Sequence, residues 1–133
     1  MSQENVEVVR AMYETANAGP KLDADFELLA PDVELHVSGA FPDLDGVYRG
    51  HDGMRKLNEA LNEPWVTLSL DPERFIDAGS RVLVLSQFHA RGRDGLEVNL
   101  QLANLWTVRN GRIVRMEAFA DHESGLDAVG LSE

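Results

Sequence analysis

Asn104 is a single polar residue in the middle of an otherwise apolar strand face. Between Leu96 and Val108 the chain alternates. Leu96, Val98, Leu100, Leu102, Trp106 and Val108 share a face with Asn104, and Glu97, Asn99, Gln101, Ala103, Leu105 and Thr107 share the other. That period of two is the mark of a half-buried strand. A buried amide left without a partner costs about 1–3 kcal/mol, so Asn104 must find one. Two kinds of partner suit it. One is structural: Tyr13, Ser86 or an ordered water. The other is functional: a ligand carbonyl or developing oxyanion that accepts from the amide N–H. On the adjoining strand the same alternation turns Val82, Val84, Ser86, Phe88 and Ala90 inward, and that inner face carries no carboxylate.

Proton transfer near Asn104 would fall to histidines or loop carboxylates. Of the four histidines, His36 and His122 sit at strand ends and are candidate general acids or bases, with ordinary rim histidines as the alternative. His51 reads as a helix-start cap and His89 as an outer-face residue. No two have the spacing of a metal pair, so no metal site and no cofactor is expected. Asp43 and Asp45 lie on a long loop, 38–50, anchored by Phe41 and Tyr48; such loops often form the mouth of a site. Tyr13, Tyr48, Trp65, Phe88, Trp106 and Met116 suit a small hydrophobic ligand, and equally suit a core.

Those side chains need elements to hold them. Val6, Val9, Tyr13 and Ala16 recur at helical spacing, with Met12 beside them, after Ser2 as a candidate N-cap; Gly19-Pro20 stops this first helix. A short second helix is expected where Leu22, Phe26 and Leu29 share a face, closed by Pro31, and then a strand over Asp32–Val37. A third helix runs from about His51 to Asn62 with Met54, Leu57 and Leu61 inward. Strands follow at Val66–Leu70, Glu73–Asp77 and Arg81–Arg91, the first two being either separate or one strand bent at Pro72. A hairpin around Asn110-Gly111 and a helical tail, Glu123–Val129, complete the chain. Helices followed by a meander is the order of an α+β domain whose helices cover one face of a curved sheet, with a cavity between them.

A length of 133 residues corresponds to one domain, 1–133. The chain carries 12 Lys+Arg against 23 Asp+Glu, a formal charge of −11, and its basic residues are scattered, which argues against nucleic acid and anionic membranes as partners. No cysteine is present, no signal peptide is legible and no apolar run could span a bilayer, so a cytoplasmic location is expected.

The ordered set Asn5–Arg10 through Asn17-Ala18-Gly19, Leu29–Glu34, Tyr48–Gly53 and Asn110–Val114 resembles the SnoaL-like domains of the nuclear transport factor 2-like superfamily. The resemblance covers nearly the whole chain. It implies a cone-shaped α+β fold, a curved antiparallel or mixed sheet wrapped around N-terminal helices (a cystatin-like fold), with a deep pocket and commonly a dimer. Ketosteroid isomerases and polyketide cyclases are relatives within it. By that resemblance the isomerase base falls on Val37, its tyrosine on Met12 beside Tyr13, and its oxyanion-binding acid on Asn104. One role of three survives.

Two further expectations follow from the hairpin. A three-residue turn with Gly111 in a bulge would pair Val108 with Arg112, set Met116 opposite Asn104 and turn Val114, Met116, Ala118 and Ala120 inward; a two-residue turn would bury Arg115 and Glu117. With the even face inward, Leu105, Ile113 and Phe119 form an outer apolar patch, which points to a homodimer or to cover by the tail. The function expected is that of a small-molecule pocket protein: an isomerase-, cyclase- or hydrolase-like enzyme acting on a hydrophobic carbonyl compound, or a binding domain without turnover.

Overall fold

The computed structural model describes residues 2–18, 22–41, 44 and 46–131. The side chain of Ser2, the stop at Gly19-Pro20 and the loop carboxylates Asp43 and Asp45 lie outside the described residues. Six strands form a curved, unclosed mixed sheet in the order β2-β1-β6-β5-β4-β3. They are β1 Leu29–His36, β2 Val47–Arg49, β3 Trp65–Ala78, β4 Arg81–Gly92, β5 Glu97–Arg109 and β6 Arg112–Phe119. Helices α1, Ser2–Ala16, and α2, Gly50–Asn62, pack on one side, and α3, His122–Ala128, on the other. All strand pairs are antiparallel except β1 with β6. This is an α+β fold, as expected. No helix among the described residues is long and apolar enough to cross a membrane.

α1 buries Val9, Met12 and Tyr13 on one stripe against the sheet. At its end the Asn17 amide brackets the backbone of Leu70, donating to its carbonyl at 2.6 Å and accepting from its N–H at 3.2 Å. That pair does for β3 what a neighbouring strand would do.

The expected second helix is reduced to one 3-10 turn, Phe26–Leu28, capped by the Asp25 side chain, and extended backbone begins at Leu29. Pro31 disfavours a helical conformation at Ala30, while Leu29, Val33 and Leu35 are buried as strand residues. Pro31 is tolerated because the pairing of β1 with β6 skips from Leu29 to Glu34. β3 is a single bent strand whose register shifts twice, between Trp65 and Thr67 and between Pro72 and Arg74.

The β5–β6 turn corrects the expected register. Asn110 (φ 54°) and Gly111 (φ 77°) form a two-residue turn that pairs Arg109 with Arg112. Both residues are left-handed, the geometry that Asn-Gly favours in tight hairpins. The extra residue lies further on, in β6: Val114 is left without a partner because consecutive Thr107 and Val108 pair with Arg115 and Ile113. Ile113 and Met116 are therefore both buried, three positions apart, and Ala118, not Met116, stands opposite Asn104. Val114 is half-buried and Ala120 exposed, so neither joins the interior as expected. Glu117 faces out, 3.1 Å from Arg115.

On the outer face Leu83, Leu85, Ala103 and Leu105 are buried, and half-buried Phe119, Leu126 and Val129 pack against them. Asp121 caps α3 through the Ser124 N–H at 2.7 Å, and buried Gly125 lets the helix sit directly on Ala103 and Leu83. Ile113 belongs to the inner core. The patch from which a dimer was expected is thus filled by the chain's own tail.

Candidate functional site

Between the concave face and the two N-terminal helices lies a cavity of about 70 Å³. Each wall comes from a different element: Met12 and Tyr13 from α1, Leu57 and Asn58 from α2, Phe88 from β4, Asn104 and Trp106 from β5, Met116 and Ala118 from β6. Leu22, Asp23 and Phe41 form its rim. Two bonds hold the rim backbone: Asn62 Nδ2 donates to the Leu22 carbonyl at 2.8 Å and the Asp23 N–H to the Ala16 carbonyl at 3.2 Å.

At the centre is a chain of hydrogen bonds. The Trp106 indole N–H donates to the Tyr13 hydroxyl oxygen at 3.1 Å, and the Tyr13 hydroxyl donates to Asn104 Oδ1, also at 3.1 Å. Asn104 Nδ2 then donates to the Met116 sulfur at 3.3 Å. Tyr13 and Asn104 are 3% and 5% exposed, so each bond matters. The Tyr13 ring meets Trp106 and Phe75 edge-on, at 5.8 and 5.9 Å between centroids. Burial pushes the Tyr13 hydroxyl well above the usual tyrosine range, with the Trp106 bond pulling weakly the other way, so it stays protonated. A neutral phenol, a neutral amide and apolar walls can orient a neutral ligand by one polar atom. Among the described residues no three metal-ligating side chains come together.

The SnoaL-like domain family model matches residues 9–116. The chain belongs to the SnoaL-like domain family. Solved structures agree. An NTF2-like protein of unknown function from Burkholderia pseudomallei is 25% identical with a TM-score of 0.76, covering 96% of this chain and 98% of its own. TerC, co-crystallised with polyporic acid, is 25% identical with a TM-score of 0.74, covering 95% and 98%. A putative SnoaL-like polyketide cyclase from Jannaschia sp. is 17% identical with a TM-score of 0.75, covering 99% and 95%. No curated protein matches significantly.

In this SnoaL-like domain the three positions singled out by the isomerase resemblance, Met12, Val37 and Asn104, all line the cavity. Tyr13, Phe88, Trp106 and Met116 line it too. The other candidates lie elsewhere. His36 is on the outer side of β1, because Leu35 and Val37 take the inward positions, and its ring is 3.0 Å from Glu34. His122 opens α3 on the outer face and donates from Nε2 to the Ser86 carbonyl at 2.8 Å. Ser86 is fully buried, with its hydroxyl donating to the Leu102 carbonyl at 3.2 Å. Tyr48 is buried against α2, where Gly53 makes room for it. Trp65 meets Phe88 edge-on at 6.3 Å but does not reach the cavity. His89 bonds Asn99 at 2.6 Å on the outer face, as expected.

Asn58 and Asp23 were not foreseen. Asn58 carried a legible signal: it sits four residues after Met54, on the stripe of Leu57 and Leu61, as a polar residue at an apolar position. Asp23 carried none, since it belongs to an irregular rim segment.

Proposed function

We propose that this chain is a small-molecule pocket protein whose cavity takes a neutral, hydrophobic carbonyl compound. Asn104 donates an amide hydrogen bond to the carbonyl oxygen. The observation that carries this reading is the fixed amide of Asn104, held by Tyr13 in a lining that is mostly apolar, with Asn58 and Asp23 as its other polar members. Oriented donors in a dry site are the usual means of recognising a carbonyl or a developing oxyanion. The co-crystallisation of TerC with polyporic acid supports a small organic occupant. An apolar cavity of about 150 Å³ is known to take a benzene ring. At about 70 Å³ this one must widen to take a ring system.

A catalytic version of the same site rests on Asp23, a carboxylate at the rim. Taking a proton from the carbon next to a bound carbonyl, while Asn104 steadies the oxygen, would make the protein an isomerase- or cyclase-like enzyme. Native mass spectrometry of the protein from its own host tests the first reading. A carbonyl compound retained by the native chain and lost from Asn104→Ala supports it; equal retention by both refutes it. Solvent deuterium entering the bound compound next to its carbonyl, and stopping in Asp23→Asn, would establish turnover.

A further inference from the structure

The polarity of the Asn104 amide is set from outside the cavity. An indole N–H can only donate, so Trp106 makes the Tyr13 oxygen an acceptor. The Tyr13 hydrogen must then find an acceptor of its own, and Asn104 Oδ1 at 3.1 Å is the one present. Turning the amide over would leave the buried hydroxyl hydrogen without an acceptor and set the amide oxygen against the Met116 sulfur. The NH2 group is therefore held on the Met116 side, where its partner is a thioether, a weak acceptor on a flexible side chain.

We propose that Trp106 and Tyr13 lock Asn104 as a donor and that the Met116 sulfur is a place-holder, displaced when a ligand oxygen arrives. This rests on the reading of the cavity as a carbonyl site and narrows it. The site selects ligands whose oxygen accepts: ketones, aldehydes, esters or quinones. It disfavours carboxylates, since no cation among the described residues lines the cavity and Asp23 stands at its rim. Tyr13 is a positioning residue here, because its hydrogen is committed to Asn104 and none is left for a ligand.

The test uses the full chain, isotope-labelled, with cyclohexanone and its hydrocarbon isostere methylenecyclohexane as probes. Binding is followed by NMR through the Ala118 methyl and the Asn104 side-chain amide. Cyclohexanone is expected to bind about 5–10-fold more tightly than the isostere, one hydrogen bond's worth, and to move one Asn104 amide proton. Met116→Leu, which removes the competing sulfur, should tighten cyclohexanone about 3-fold or more and change methylenecyclohexane by less than about 2-fold. Tyr13→Phe should bring the two probes within about 2-fold of each other. A merely structural Met116 would move both probes alike. If cyclohexanone shifts Ala118 but leaves the Asn104 amide and the Met116→Leu ratio unchanged, the donor lock is wrong while the cavity reading stands. If neither probe reaches Ala118, both are wrong.

Discussion

The bond chain Trp106–Tyr13–Asn104 makes a prediction about stability that contacts alone would not. Tyr13→Phe deletes one oxygen and strands two buried groups, the Trp106 N–H and Asn104 Oδ1. Each unsatisfied group costs about 1–3 kcal/mol, so the variant should lose about 2–6 kcal/mol. Trp106→Phe is different in kind. It removes a donor from a hydroxyl that keeps its own acceptor, and the cost, about 1–3 kcal/mol, comes from the space the indole leaves. In the double variant the stranded indole N–H no longer exists. The double loss should fall short of the sum of the singles by about 1–3 kcal/mol, the penalty of that one group. Urea unfolding with a common slope reads all four corners of the cycle, because a protein of this size has about 5–15 kcal/mol in reserve. Additivity within about 0.5 kcal/mol would refute the reasoning. It would mean that Trp106 has another acceptor, and that Tyr13 does not set the amide.

Three further outcomes are expected. Tyr13 has a folded-state pKa raised by burial, so its contribution is intact below the unfolded tyrosine value of about 10 and is lost as pH rises through the folded value; alkaline unfolding should therefore erode the parent more steeply than Tyr13→Phe. The carboxyl of Glu34 is held low by its bond to His36 and by Arg49, and that of Asp121 by its bonds to Ser124. Their contribution is present above the ordinary carboxylate range and lost as pH falls through the lowered values, so Glu34→Gln and Asp121→Asn should each flatten the acid limb of a stability–pH curve. Gly125→Ala would set a methyl 2.6 Å from the Ala103 Cβ and 3.1 Å from Leu83, lifting α3 off the sheet; a loss of about 1–3 kcal/mol is expected in urea unfolding, with faster hydrogen exchange in α3.

Much of this architecture is local and was legible in the chain. Alternation by two is a property of each strand alone, and it placed Asn104 inward with Trp106 and Leu102, and His89 outward. Spacing by three and four did the same for Val9, Tyr13, Met54 and Leu57. The α+β order and the SnoaL-like resemblance followed from those patterns and from motifs spread over the length. Even the partnership of Asn104 with Tyr13 was among the alternatives, since a buried amide needs a partner and few were within reach.

What the chain could not disclose are the relations between distant segments. The position of the extra residue in the β5–β6 hairpin is decided by packing, because Ile113 and Met116 both have to reach the interior. Asn-Gly specifies only the turn. The end of the expected second helix was decided by Leu29, Val33 and Leu35 being wanted in the sheet, which outweighs the weak propensity of residues 22–29. His36 and His122 stand near the ends of strands in the sequence, yet parity turns one outward and α3 carries the other to the outer face. Asn58 and Asp23 reach the cavity from a helix and a rim segment far from β5 in the chain. Periodicity says which way a side chain points; which other side chains it meets depends on long-range packing, and that is where this site is made.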